Sequence, residues 1–271
     1  MYLHEIATIY NIGYEMVGRI LNKRSIKHKT RKELKNKRDN ELDFRKYSVN
    51  DDYFKTLNEE SAYILGFIFA DGSINIKDQS IKITLNKKDK KLLEVIKKIM
   101  KFTGKIHEYK NKSNKKSNKY YDNVELRITS KEILKDLLEF NITNNKSLKI
   151  KFPKNIPDEY IIDFIRGYFD GDGSVDVRLD ERSNTYQIRT RICSGSKIFI
   201  DDLEKTLRKY GLKPKKIHSR NNIHELTYST KESYLIYNLI YDRKNCIYLE
   251  RKKFKYENGF ISRNKNNNKG E

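Results

Sequence analysis

Ile64-Leu65-Gly66-Phe67-Ile68-Phe69-Ala70-Asp71-Gly72 and Ile165-Arg166-Gly167-Tyr168-Phe169-Asp170-Gly171-Asp172-Gly173 are two versions of one statement. Each is a mostly apolar run that stops at Asp-Gly. Each carries a small residue and a second one four positions on: Gly66 and Ala70, Gly167 and Gly171. Residues four apart share one face of a helix. A face of small residues lets two helix backbones approach closely. Glycine inside a helix costs roughly 1 kcal/mol relative to alanine, so matched glycines in two runs point to contact between the runs. Asp71 and Asp172 fall in the last helical turn, where the helix carries partial negative charge. The following glycine fits the left-handed residue that commonly ends a helix. Two such carboxylates brought together repel each other, an arrangement that makes sense around a hard divalent cation such as magnesium. A helix stop alone accounts for one copy; the repeated spacing favours a paired structure.

Outward from these runs the chain repeats itself. In the first half, Ser73–Lys77 and Ser80–Asn86 alternate apolar and polar residues, the period of half-buried strands. Leu92, Leu93, Ile96, Ile99 and Met100 follow at helical spacing with Gly104 beyond them. Strands come next near 105–109 and 121–128, then a helix opened by Thr129-Ser130-Lys131-Glu132. The second half has strands near 175–179 and 187–193, a helix over 197–210 ended by Gly211, and strands near 214–218 and 223–228. Glu225–Glu232 matches Glu125–Glu132 at about the same offset as the two Asp-Gly runs. The fold class read here is α+β: an αββαββα unit present twice about a pseudo-twofold axis, with two antiparallel sheets. The outer sheet faces are polar. Lys82, Thr84, Asn86 and Arg127 stand on the first, with Glu125; Arg178, Gln187, Arg189 and Arg191 stand on the second. Ribbons with such side chains fit the major groove, where Arg and Lys suit guanine and Asn and Gln suit adenine. A solvated sheet face is the alternative.

Composition supports a polyanionic partner. The 271 residues hold 58 Lys and Arg against 37 Asp and Glu, a net charge of +21. Hydrophobic residues at 37% suffice for a core. Cys193 and Cys246 have no metal-ligand spacing, so neither a zinc site nor a disulfide framework is expected. No apolar run approaches the ~20 residues needed to cross a bilayer, and Met1 leads directly into an amphipathic pattern without a signal peptide. The expectation is an intracellular protein, cytoplasmic or nucleoid-associated, with an organellar setting also compatible.

At the N-terminus, Ile6, Ala7, Tyr10, Ile12, Val17, Ile20 and Leu21 read as two short helices around a turn at Asn11. The spacing resembles a helix-turn-helix DNA-binding unit, whose second helix enters the major groove. A plain helical hairpin is the alternative. The boundaries expected are 1–30 for this unit, 31–55 for a basic linker, 56–152 and 153–262 for the repeats, and 263–271 for a polar tail.

The quoted runs resemble the LAGLIDADG motif of homing endonucleases, in the single-chain form with two copies. The likeness covers about residues 56–262, and the second copy is the more specific. Phe69 stands where the family often has an acidic residue, at a place that is usually not the catalytic one. The resemblance implies a monomer that cuts both strands of double-stranded DNA at a long asymmetric site, leaving short 3′ overhangs, with Mg2+ or Mn2+. It maps the metal-binding acids to Asp71 and Asp172, with the backbone oxygens of Ala70 and Gly171 as further ligands. It also places a basic residue near each scissile phosphate: Lys146 and Lys252 are the chosen positions, with Lys149, Lys151 and Lys253 nearby. Two rivals on the same scaffold are a non-cleaving DNA-binding regulator, which tends to lose the acidic pair, and an RNA maturase assisting intron splicing. No intein splice-junction pattern marks the ends of the chain, and a stand-alone chain is the expectation.

Overall fold

A computed structural model of the protein describes residues 6–7, 9–24, 26, 45–112, 119–143 and 146–267. The chain divides into two units, Met1–Lys46 and Tyr47–Glu271. In the first, residues 6, 7 and 9 are helical, Asn11 turns the chain at φ 48°, and α1 spans Tyr14–Lys23 with Val17 buried. Asn tolerates this left-handed conformation, and the expected turn falls where the sequence puts it. The basic stretch at 27–30 and most of the expected linker, 31–44, lie outside the described residues.

In the second unit, α2 (Glu59–Asp71) opens on a reciprocal cap: the Asn58 side chain accepts from the Ser61 amide at 2.8 Å, and the Ser61 hydroxyl accepts from the Asn58 amide at 2.7 Å. The chain then runs through β1 (Gly72–Asn75), β2 (Ser80–Asn86), α3 (Lys90–Ile99), β3 (His107–Lys112), β4 (Tyr120–Thr129) and α4 (Lys131–Glu139). The second half follows as α5 (Ile161–Asp172), β5 (Gly173–Asp180), β6 (Thr185–Ser194), α6 (Lys197–Lys209), β7 (His218–Arg220), β8 (Ile223–Tyr228) and α7 (Thr230–Tyr241). A last helix, α8, spans Glu250–Asn267. The sheets have orders β1-β2-β4-β3 and β5-β6-β8-β7, antiparallel throughout. One α+β unit is thus built twice.

The two quoted runs pack against each other along α2 and α5. A Cβ at Gly66 would sit 2.0 Å from the Phe164 carbonyl oxygen, and one at Gly167 would sit 1.9 Å from the Tyr63 carbonyl oxygen. At Gly171 it would meet the Ala70 Cβ at 2.2 Å. These glycines are required by close backbone approach. The remaining apolar residues of both helices are buried, and each sheet lays its apolar side on the helices: α3 and α4 under the first, α6, α7 and α8 under the second.

The structure corrects the local reading in several places. Gly72 and Gly173 are extended (φ −72° and −86°), because each helix passes straight into a strand. Glycine is needed there for room: a Cβ would lie 2.7 Å from the Ile68 oxygen or 2.1 Å from a Phe169 ring carbon. The left-handed helix stops are Lys101 (φ 52°), Asn141 (φ 63°) and Gly211 (φ 89°), whereas Gly104 is packed on the Phe102 ring. The strand expected near 214–218 is the short β7, pulled toward a turn where Asn221 and Asn222 both have positive φ (50° and 60°), as type I′ hairpins require. Residues 47–55, within the stretch expected as linker, join the fold: Tyr53 and Phe54 are buried, and Asn50 donates its amide to the Met100 carbonyl. The tail expected from residue 263 is helical to Asn267. Its stripe is Lys252, Tyr256 and Phe260, with Gly259 against Val177 and Ile188. A lysine in the first place and a charged remainder hide that periodicity.

Candidate active site and nucleic-acid interface

Pairing α2 with α5 brings Asp71 and Asp172 to one place, at the end where both helices pass into their sheets. Each residue is open to solvent on one side and packed on the other. Burial raises the Asp71 carboxyl above its ordinary range, against the pull of Lys252 and Lys146. Burial raises Asp172 as well, and the Asp71 charge adds to it. Each of these causes follows from carboxylates crowded into partly dry surroundings.

The two lysines sit beneath the acids. Lys146 is 6% exposed and Lys252 4%. The Lys146 Nζ donates to the carbonyl oxygens of Phe69 (2.5 Å) and Ala70 (2.7 Å). The Lys252 Nζ donates to Phe169 (2.7 Å), Asp170 (2.7 Å) and Gly171 (3.0 Å). Each ammonium therefore satisfies the orphan carbonyls at the end of one central helix, where a cation also opposes the helix dipole. Burial pulls both amines down to about 8; Asp172 and Asp71 oppose the pull on Lys146, and Asp170 is the main charge opposing it on Lys252. The result is a compact cluster of two carboxylates and two lysines.

Of the five lysines named from sequence, only these two are buried; Lys149 and Lys151 are exposed, and Lys253 lies over the Tyr248 ring at 4.3 Å. The expected backbone ligands and lysines contact one another within the protein. The carbonyl oxygens of Ala70 and Gly171, expected as metal ligands, accept ammonium hydrogens here. Lys146 and Lys252, expected beside the phosphates, are buried under the acids with two and three hydrogen bonds, respectively, to helix-end carbonyls.

The donor set fits a hard cation. It consists of carboxylate oxygens open to solvent, and like charges held together are what such an ion relieves. Among the described residues no group of three or more His, Cys, Asp or Glu side chains is arranged to hold a metal ion. Asp71 and Asp172 are the side chains that could hold such an ion.

The expected sheet positions fall on the open faces. Lys82 pairs in register with Arg127, Thr84 with Glu125, Asp176 with Arg189, and Arg178 with Gln187. Several of these cations have partners: Lys82 with Glu125 (3.7 Å), Arg127 with Asp78 (3.2 Å) and Arg191 with Asp176 (2.6 Å). Such exposed pairs contribute little to stability and can be exchanged for phosphate or base contacts. Asn86 also has a structural task, capping the Lys88 amide at 3.0 Å. Gln187 accepts from the Thr230 hydroxyl at 3.1 Å. Sequence reasoning passed over His107, Tyr109 and Tyr121, which share the first face through their register with Glu125, Asn123 and Asn111. It also passed over Asp170 and Arg166, fully buried behind the second acid.

The family model described as "LAGLIDADG-like domain" matches residues 58–140 and 159–250, more than half of the chain. An uncharacterized protein of Methanocaldococcus jannaschii is 27% identical over 202 residues, covering 70% of this chain and 72% of that protein. The probable translation initiation factor IF-2 of the same organism is 28% identical over 191 residues, 69% of this chain but only 14% of the factor. Among solved structures, the LAGLIDADG meganuclease I-AabMI bound to uncleaved DNA superposes with a TM-score of 0.52 at 16% identity, over 79% of this chain and 92% of that one. The homing endonuclease I-WcaI bound to its DNA recognition sequence gives 0.52 at 18%, over 76% and 90%. At these identities the likeness is one of fold.

Proposed function

The chain belongs to the LAGLIDADG-like domain family, and from that premise we propose that it is a site-specific endonuclease of double-stranded DNA, a homing endonuclease in the single-chain form. The observation that carries this reading is the carboxylate pair Asp71 and Asp172 over the buried amines Lys146 and Lys252. A regulator that only binds DNA has no use for two acids crowded together, since they repel both each other and the phosphates.

The two sheets would lie along the duplex, with Lys82, Arg127, Arg178, Arg189 and Arg191 reaching phosphates and base edges. Asp71 and Asp172 would hold Mg2+ or Mn2+, which when bound stabilises charge on the oxygens of a phosphoryl group under attack by water. Lys146 and Lys252 would lock the ends of α2 and α5, so that the acids keep their places as DNA enters, and would offset part of their charge. No nucleophilic side chain is needed. The test is selection of cut sites from a randomised plasmid library with magnesium, followed by end mapping. The expected product has breaks in both strands with short 3′ overhangs at a long asymmetric sequence. A library left intact overturns the reading.

Residues 1–46 would add DNA affinity through their turn-linked helices and their basic surroundings. Binding by cations releases condensed counterions, so the slope of log K against log salt counts phosphate contacts at about 0.9 each. Removal of residues 1–46 is expected to weaken binding and flatten that slope, measured by fluorescence anisotropy on the selected target. An unchanged slope would show that this unit does not touch the backbone.

A further inference from the structure

The two halves hold their central helices by different means. On α5, Asp163, Arg166 and Asp170 form one stripe at helical spacing, and all three are at most 1% exposed. The residues at the same places on α2 are Ala62, Leu65 and Phe69, all apolar and buried. Apart from one bond to α2 and the pairing within it, the stripe directs its polar contacts to one stretch of chain. Arg166 donates Nε to the Ile247 carbonyl at 2.8 Å and Nη1 to the Ile240 carbonyl at 3.4 Å. Asp163 pairs with Arg166 at 2.7 Å and with Arg243 at 3.0 Å. Asp170 accepts the Tyr241 hydroxyl at 2.5 Å and the Leu249 amide at 2.7 Å, together with the Tyr63 hydroxyl from α2 at 2.8 Å.

That stretch, residues 240–249, ends where α8 begins, and the Leu249 carbonyl accepts the Lys252 amide at 3.0 Å. The chain of contacts closes on itself: Asp170 holds Leu249, Leu249 holds the turn bearing Lys252, and Lys252 caps the carbonyls of Phe169, Asp170 and Gly171. In the first half the corresponding place is Phe69, which packs edge-on against Phe164 with ring centroids 5.1 Å apart. Lys146 there lies in a single turn of 3₁₀ helix, Lys146–Leu148. Buried ionic groups of this kind cost desolvation and bring little net stability, so a gain in stability does not account for their presence in one half alone.

We propose that Asp163, Arg166 and Asp170 are positioning residues for the Lys252 side of the site, so that the two strand-cutting events depend on separately held parts of the protein. The assignment rests on the nuclease reading above. It has a signature that ordinary loss of packing lacks: damage to the stripe unbalances the two strands. The Asp170→Asn variant keeps size but offers one carbonyl oxygen to three donors, which displaces Leu249 and with it Lys252.

The experiment follows supercoiled plasmid bearing the selected target, with magnesium and separately end-labelled strands. Wild type is expected to cut both strands at comparable rates. Asp170→Asn is expected to slow one strand by about 10- to 100-fold relative to the other, in line with outer-shell substitutions at other sites, so that nicked circles accumulate. Tyr241→Phe removes a single donor to Asp170. It is expected to give a smaller bias toward the same strand, and it carries the test if Asp170→Asn does not fold, as judged by its circular dichroism melt. If wild type cuts and the folded variants slow both strands equally, or neither, the assignment is overturned while the nuclease reading stands. A wild type that never cuts overturns both.

Discussion

The variant carrying Asp71→Asn and Asp172→Asn is expected to bind its DNA target within a few-fold of wild type, yet to cut neither strand, with a loss of at least about a thousandfold. The size follows from the role proposed for the acids at the reacting phosphate; removing a single electrostatic group from a preorganised site typically costs 10²–10³. Binding is expected to survive because, on the proposed reading, it comes from the sheets and the net charge of +21. Stability provides an internal control. Burial, and for Asp172 the neighbouring acid, raise the folded-state carboxyl above its unfolded value. A raised carboxyl pKa means that ionisation disfavours the fold, a penalty that is complete once the pH exceeds the folded pKa and that disappears in acid. Asp172→Asn at neutral pH, in buffer freed of metal by chelation, is therefore expected to melt no lower than wild type. Wild-type cleavage by the double variant would remove the acids from the chemistry. Equal loss of binding and cleavage would make them DNA contacts.

What could be read from the chain was what it states twice. Two runs with the same small-residue spacing and the same terminal Asp imply helices in contact with acids at their ends. The alternation in Ser80–Asn86 and its counterparts implies the sheets. The register then put Lys82, Arg127, Arg189 and Arg191 on the open faces where the alternation had them. What could not be read was whatever depends on contact across long separations. Asp170 meets Tyr241 and Leu249, 71 and 79 positions away, and along the sequence it is only one more acid beside Asp172. Lys146 and Lys252 belong to 58 cationic residues, and nothing local marks them as buried caps. Gly72 and Gly173 misled for a different reason. A glycine after a helix usually signals left-handed backbone, whereas here it signals a lack of room for any side chain.

The second large effect lies in that lack of room, at the crossing of α2 and α5. Gly66→Ala and Gly167→Ala each add one carbon, which would stand 2.0 Å and 1.9 Å from main-chain carbonyl oxygens of the facing helix, far inside the 3.0 Å that Cβ atoms respect. Main chain cannot swing aside as a side chain can, so the helices must separate. Overpacking of a close-packed core costs about 1–3 kcal/mol and occasionally more, while alanine recovers roughly 1 kcal/mol of helix propensity. The two backbone clashes put each variant at the upper end, with a net loss of about 2 kcal/mol or more. For a unit of this size that lowers Tm by roughly 4–8 °C. The paired variant is expected to lose more than the sum, because both substitutions wedge the same contact and neighbouring changes are not additive. Gly18→Ala, inside α1 with no described atom within 4 Å of the added carbon, is the matched control and is expected to be neutral or stabilising. Cleavage should fall with the interface variants in particular, since Asp71 and Asp172 ride on the ends of the two helices and move apart when the helices do. If Gly167→Ala melts with wild type, the close approach of α2 and α5 is wrong, and the pairing of the acids is lost with it.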